Sequence, residues 1–204
     1  MKTIVPFIIC FVFTLISYGQ TLESLRNDKL IKKHFNKKDI ENLHKIMNFF
    51  DQTVKQNCDD TTLINICYQD YCDKIKSNAD SGSLDPGFTY EIESQLLNDL
   101  DKRSFNKIWY YTESYRVDKG VKVYYFPRTI ELSYKSPFMN LCKDISDENP
   151  AWKFYYENYQ TAGTMNSDMI EGVLSRYEKF IFSEIRERLL FAIHYLTMNS
   201  RKFK

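Results

Sequence analysis

The chain has 204 residues, with 28 Lys and Arg against 27 Asp and Glu, for a formal net charge of +1. That balance offers no long-range attraction to nucleic acid or to an anionic membrane, which excludes the strongly basic binding classes. The length suits one domain with a substantial core.

The first nineteen residues read as an export signal. Met1-Lys2 supplies one positive charge, Thr3 to Ser17 is almost wholly apolar around Pro6, and Tyr18, Gly19 and Gln20 form a small and polar exit. The apolar run is shorter than the roughly 20 residues a membrane span needs, so an uncleaved anchor is the lesser alternative. Cys10, between Ile9 and Phe11, lacks the small neighbours of a lipid-attachment site. Cleavage near Gly19–Gln20 removes Lys2 and leaves 27 charges of each sign on about 185 residues. No later segment reaches transmembrane length. The expected product is a soluble, secreted or periplasmic protein whose residues 20–204 form one mostly helical domain.

Four cysteines remain: Cys58, Cys67, Cys72 and Cys142. An even count in an exported chain favours two disulfides, with free buried thiols as the alternative. Cys67 and Cys72 point about 140° apart on a helix, which disfavours their pairing. The expectation is therefore a bond from Cys142 to Cys67 or Cys72, with Cys58 in the other pair. No CxxC occurs and no histidine lies near these cysteines, so no metal site is expected.

Taken in chain order, a short helix is predicted around Asp28 to Phe35. Asn36 and Asp39 form a capping-box variant that opens a helix running to about Asn57, with Ile40, Leu43, Met47, Phe50 and Val54 on one face. Asp59 to Thr62 can cap the next helix, in which Leu63, Cys67, Tyr71 and Ile75 align. The turn-rich stretch Ser77 to Gly87 separates this pair from a helix marked by Ile92, Leu96, Leu97 and Leu100.

Lys107 to Val117 and Val121 to Phe126 read as two strands around Asp118-Lys119-Gly120, where Gly120 supplies the positive φ of a three-residue loop. Extension of the preceding helix through Ile108, Tyr111 and Tyr115 is the alternative. Ile130 to Tyr134 can add a third strand. Helical signals then return. Ser136-Pro137 and Asn149-Pro150 are caps followed by proline at the first helical position, and Gly163 stops the second of these helices. Ser167 can cap a further helix through Tyr177. A last helix over about Glu178 to Met198 is apolar on every side around Leu189 to Ile193, which predicts burial all round. The fold class is mainly α, an α-rich α+β arrangement with a small aromatic-rich hairpin or short sheet.

Motifs for ordered catalysis are missing. GxSxG, HExxH, GxGxxG and the phosphate-binding loop do not occur. His34 and His44, beside Lys32, Lys33 and Lys45, read as surface residues. His194 reads as a core histidine bonded to backbone or tyrosine, because Glu187 lies seven residues away, about 10 Å along the axis. A pair of carboxylates can cleave glycans without any motif, and Glu91, Glu93, Glu113, Asp144, Asp147 and Glu148 are the candidates. Each also suits a cap, a helix dipole or a solvated surface. Glu184 and Arg188 stand four apart in the favourable order and read as an ion-pair edge, with a ligand-gripping Arg188 as the alternative.

The composition is unusual in its 15 Tyr, 15 Phe and 2 Trp. One group gathers Trp109, Tyr110, Tyr111, Tyr115, Tyr124 and Tyr125. The other places Trp152, Tyr155, Tyr156 and Tyr159 on one helical face. The second group is expected to be core, with Trp152 and Tyr156 against the last helix. Within the first, Trp109, Tyr111, Tyr115 and Tyr124 are the candidate binding residues, for a protein or glycan ligand. The functional expectation is an exported binding protein without catalysis or cofactor. A cell-envelope polymer hydrolase using two carboxylates is the rival.

Overall fold

The computed structural model describes residues 21–56, 58–59, 62–80, 85–113, 115–124 and 129–199. The signal reading of residues 1–19, the tip of the 77–87 loop and Tyr125 lie outside the described residues.

Helix α1 runs through residues 21–27, and α2 spans Lys29–His34 behind its Asp28 cap. Helix α3 (Lys37–Lys55) starts on the expected capping box: Asn36 accepts from the Asp39 amide, and the Asp39 carboxylate accepts from the Asn36 amide. Its apolar stripe is buried, and α4 (Ile64–Asp80) packs against it through Cys67, Tyr71 and Ile75. Leu63 is exposed instead of continuing that face. Helix α5 (Tyr90–Asn98) and the short α6 (Lys102–Phe105) follow.

The strands form a ribbon, with a pairing that differs from expectation. β2 (Tyr115–Asp118) and β3 (Val121–Tyr124) pair antiparallel, and Asp118 lies opposite Val121. The loop is thus two residues long, not three, and both Lys119 (φ 49°) and Gly120 (φ 81°) take positive φ. That conformation matches the right-handed strand twist, and glycine reaches it without a Cβ penalty. β4 (Thr129–Leu132) does not extend this hairpin as an outer strand. It returns to pair with β1 (Trp109–Thr112), placing Trp109 opposite Leu132.

Helix α7 (Pro137–Ser146) begins at Ser136, whose hydroxyl accepts from the Met139 amide at 3.1 Å. Helix α8 (Pro150–Ala162) begins at Asn149, which accepts from the Ala151 amide at 2.8 Å, and it stops at Gly163 with φ 69°. Helix α9 (Ser167–Ser175) is capped by Asn166, one residue earlier than expected. The last helix also starts later than its pattern suggested. A 3-10 turn at Tyr177–Lys179 is followed by a turn at residues 181–184, in which the Glu184 amide donates to the Ile181 carbonyl at 2.7 Å, and α10 spans Ile185–Asn199. Phe180 and Phe182 are buried, while Ile181 between them is exposed. Their rings meet the Phe191 edge at 4.7 and 4.8 Å.

Helix α10 is the centre of the fold. From Glu187 to Asn199 every residue is buried, as its all-round apolar pattern predicts. It packs on α3 and β4. Tyr195 stacks on Phe50 of α3 at 5.9 Å and meets Tyr71 of α4 edge-on at 5.6 Å. One contiguous apolar cluster extends from Leu25 to Met198. Among the described residues, no helix is long and apolar enough to cross a membrane.

The cysteines pair differently from the expected framework. Cys58 and Cys67 are bonded, with Cα atoms 5.8 Å apart, inside the range a disulfide requires. Cys72 and Cys142 are free and buried. Cys142 does face inward, but α7 packs on α2 and α8, while Cys72 belongs to α4. Burial pushes both thiols well above the ordinary thiol range.

Candidate functional site

The two aromatic groups separate, and not along the expected line. In α8, Trp152, Tyr155 and Tyr159 are fully buried and Tyr156 is half-buried, with Tyr155 edge-on to His194 of α10 at 5.8 Å. Trp152, Tyr155 and Tyr159 are core, as expected, whereas Tyr156, expected to be mainly buried, is not. Trp109 is core too. It has no exposed surface, its indole Nε1 donates to Thr197 Oγ1 at 2.7 Å, and its ring lies 5.7 Å from Phe105. As a binding residue it is therefore corrected: β1 rests on α10, and the strand face that carries Trp109 is the inner one.

The other candidates are placed differently. Tyr111 is 43% exposed and stacks on Phe105 at 4.8 Å, and Tyr110 beside it is 46% exposed. Tyr115 and Tyr124 are direct cross-strand partners. Opposite residues of an antiparallel pair project to one face, so the register puts Val117 and Lys122 on one side of the ribbon and Asp118, Val121 and Val123 on the other. Val117 and Val121 are about two-thirds exposed, at 66% and 65%. The β2–β3 ribbon therefore shows apolar side chains on both faces.

A second feature was not singled out as a site by sequence. Where α1, the end of α3, the start of α4 and the start of α10 converge, they enclose a polar pocket of about 220 Å³. Asp51 and Lys55 reach it from α3, Asn65 from α4, Ser24 from α1 and Arg188 from α10, with Ser183 alongside. Arg188 is 8% exposed, and its Nη1 donates to Asp51 Oδ2 at 2.9 Å. Tyr68 donates to the other Asp51 oxygen at 2.8 Å. Burial raises the Asp51 carboxyl above its usual range, and the Arg188 charge opposes that rise. The expected Glu184–Arg188 edge is replaced by this interhelical pair. The sequence offered Arg188 alone as a ligand-gripping alternative, with nothing to join it to Asp51.

The remaining candidates have structural partners. His34 is half-buried, and its Nε2 lies 2.7 Å from Asp144 Oδ2, with Lys33 on the same oxygen. His44 is buried, contrary to the surface reading, because α2 packs on α3 and covers that side. His194 is fully buried with neither ring nitrogen hydrogen-bonded, and burial pushes its pKa down to about 3. Burial pushes Glu93 up to about 7, against a hydrogen bond from Asn199 at 2.5 Å. It also pushes Glu187 up to about 7, against a hydrogen bond from Asn149 at 3.0 Å. Glu93 and Glu187 are buried, so neither presents a carboxylate to a polymer. The described pocket contributes one acid, Asp51, already held by Tyr68 and Arg188.

Among the described residues no group of three or more His, Cys, Asp or Glu side chains could hold a metal ion. No protein-family model matches the chain, and neither the curated proteins nor the solved structures compared with it contain a match.

Proposed function

We propose that this chain is an exported binding protein that engages a partner through the β2–β3 ribbon. The observation that carries the reading is the pair of valines, Val117 and Val121, exposed on opposite faces of a two-stranded ribbon. An isolated two-stranded ribbon is marginal in water, and apolar residues on both faces favour burial against something else. Tyr110 and Tyr111 on the neighbouring β1 are exposed as well. A protein partner fits better than a glycan. Val117, Val121 and Val123 give the ribbon an exposed aliphatic surface, and the outer edges of β2 and β3 offer backbone groups to an added strand.

Export rests on the charged start and apolar run of residues 1–19, and the Cys58–Cys67 bond suits an oxidising compartment. The hydrolase reading needs two acids facing one cleft. Asp51 in its ion pair does not meet that need.

The test is capture of partners from the compartment of export, using wild type and the double substitution Val117→Asp, Val121→Asp. The expected result is a specific partner retained by wild type and lost by the variant, at an unchanged unfolding midpoint. Recovery of the same partner by both proteins would exclude the ribbon.

A further inference from the structure

The polar pocket at the start of α4 supports a separate inference, independent of the ribbon. We propose that it binds a small oxyanion, a carboxylate or a phosphate, held by Lys55, Arg188 and the first backbone amides of α4.

The donors are present and underused. Arg188 is more than nine-tenths buried, yet it spends only Nη1 on Asp51, and its Nε is buried without a hydrogen-bond partner. A buried charged donor left unpaired is costly, and a planar guanidinium presents adjacent N–H groups that match the two oxygens of an oxyanion. Lys55 lies close enough for its charge to act on Asp51, and it takes part in no ion pair among the described residues. Lys55 and Arg188 together exceed the single carboxylate, Asp51, by one positive charge.

The third element is the helix. α4 is 17 residues long, and Ile64 and Asn65 at its start line the pocket. Amides in a first helical turn have no carbonyl acceptor within their own helix, and the helix dipole adds partial positive charge there. Ser24 and Ser183 supply hydroxyls on the facing walls. At about 220 Å³ the pocket is smaller than a typical drug-sized site of roughly 300–1,000 Å³ and suits a compact ion. The Cys58–Cys67 bond ties the chain just after α3 to the first turn of α4.

The experiment follows the Ile64 and Asn65 amide resonances of the isotope-labelled protein. Inorganic phosphate and acetate are titrated separately, at constant ionic strength maintained with chloride. Saturable shifts at these two amides are expected with at least one of the two ions. Lys55→Met, at an exposed position, should weaken that affinity by about tenfold, the loss of one charge-assisted contact. Arg188→Lys keeps the charge beside Asp51 but removes the fork, and should weaken it comparably. A response to acetate alone assigns a carboxylate ligand, and a response to phosphate alone assigns a phosphorylated one. No saturable shift with either ion, or equal affinity in wild type and Lys55→Met, overturns the proposal.

Discussion

Residues 109–132 carry one kind of sequence, dense in aromatic and β-branched residues, and the fold uses its two halves in opposite ways. At the base, β4 lies against α10 with all four residues buried, and β1 beside it sends the buried Trp109 to Thr197 of the same helix. Even Glu131 is enclosed, where it accepts from the Thr164 hydroxyl at 2.7 Å and the Met165 amide at 3.0 Å. At the tip, β2 and β3 have only each other as strand partners among the described residues, and Val117, Val121 and Val123 face water. The strand pattern is the same in both halves. What differs is whether a helix lies across the strand, so burial here is a property of the neighbour and not of the strand.

The sharpest way to break this comparison is to truncate one side chain in each half. Trp109→Ala should lose about 3–5 kcal/mol, because it opens a large cavity beside α10 and removes the donor to Thr197. A denaturant titration that finds less than about 1 kcal/mol would place β1 outside the core.

Titration sharpens the distinction between interior and surface. His194 is held neutral in the fold, with its pKa moved from 6.5 to about 3 by burial. Below about pH 6.5 the unfolded chain takes up a proton that the native state refuses, so stability falls as pH drops toward 3. His194→Phe should therefore gain on wild type by up to ~1.4 kcal/mol per pH unit on that acid side. Glu93 has the opposite sign. Its pKa is pushed up from 4.5 to about 7, so above about pH 4.5 the native state holds a proton that the unfolded chain releases, and stability falls as pH rises toward 7. Glu93→Gln should gain on wild type over that range. Unfolding curves of both variants from pH 4 to 8 check the two signs together, and parallel profiles would refute both.

The smallest effect belongs to the tip. Val117→Thr and Val121→Thr should change stability by less than about 0.5 kcal/mol, as expected for exposed positions. A larger loss in a thermal melt would show that the ribbon contributes to the fold and is not reserved for a partner.

What the sequence disclosed was mostly local chemistry. The Asn36–Asp39 box, the two cap-and-proline starts and Gly163 each rely on a few adjacent residues, and each appears where expected. The all-round burial of α10 was legible for a similar reason, since its apolar content leaves no face for water. The misplacements involve distant partners. Nothing near Trp109 indicates that Thr197 waits for its indole, and nothing near Cys142 indicates that α7 packs on α2 and α8. Asp51 and Arg188 lie 137 residues apart in the chain, so the pocket they share has no local signature.

The position of α10 also has a consequence for how the chain comes to be folded. It follows every other described element, yet α3, β4 and α8 all close upon it. A chain emerging from its N-terminal end can form α3 and α4 early but cannot complete the core until residues 185–199 arrive. Most of its apolar surface stays uncommitted until then, and pairing over such separations is slow because loop closure precedes the contacts that reward it. Under the proposed export, that delay would leave the chain pliable while it passes through extended.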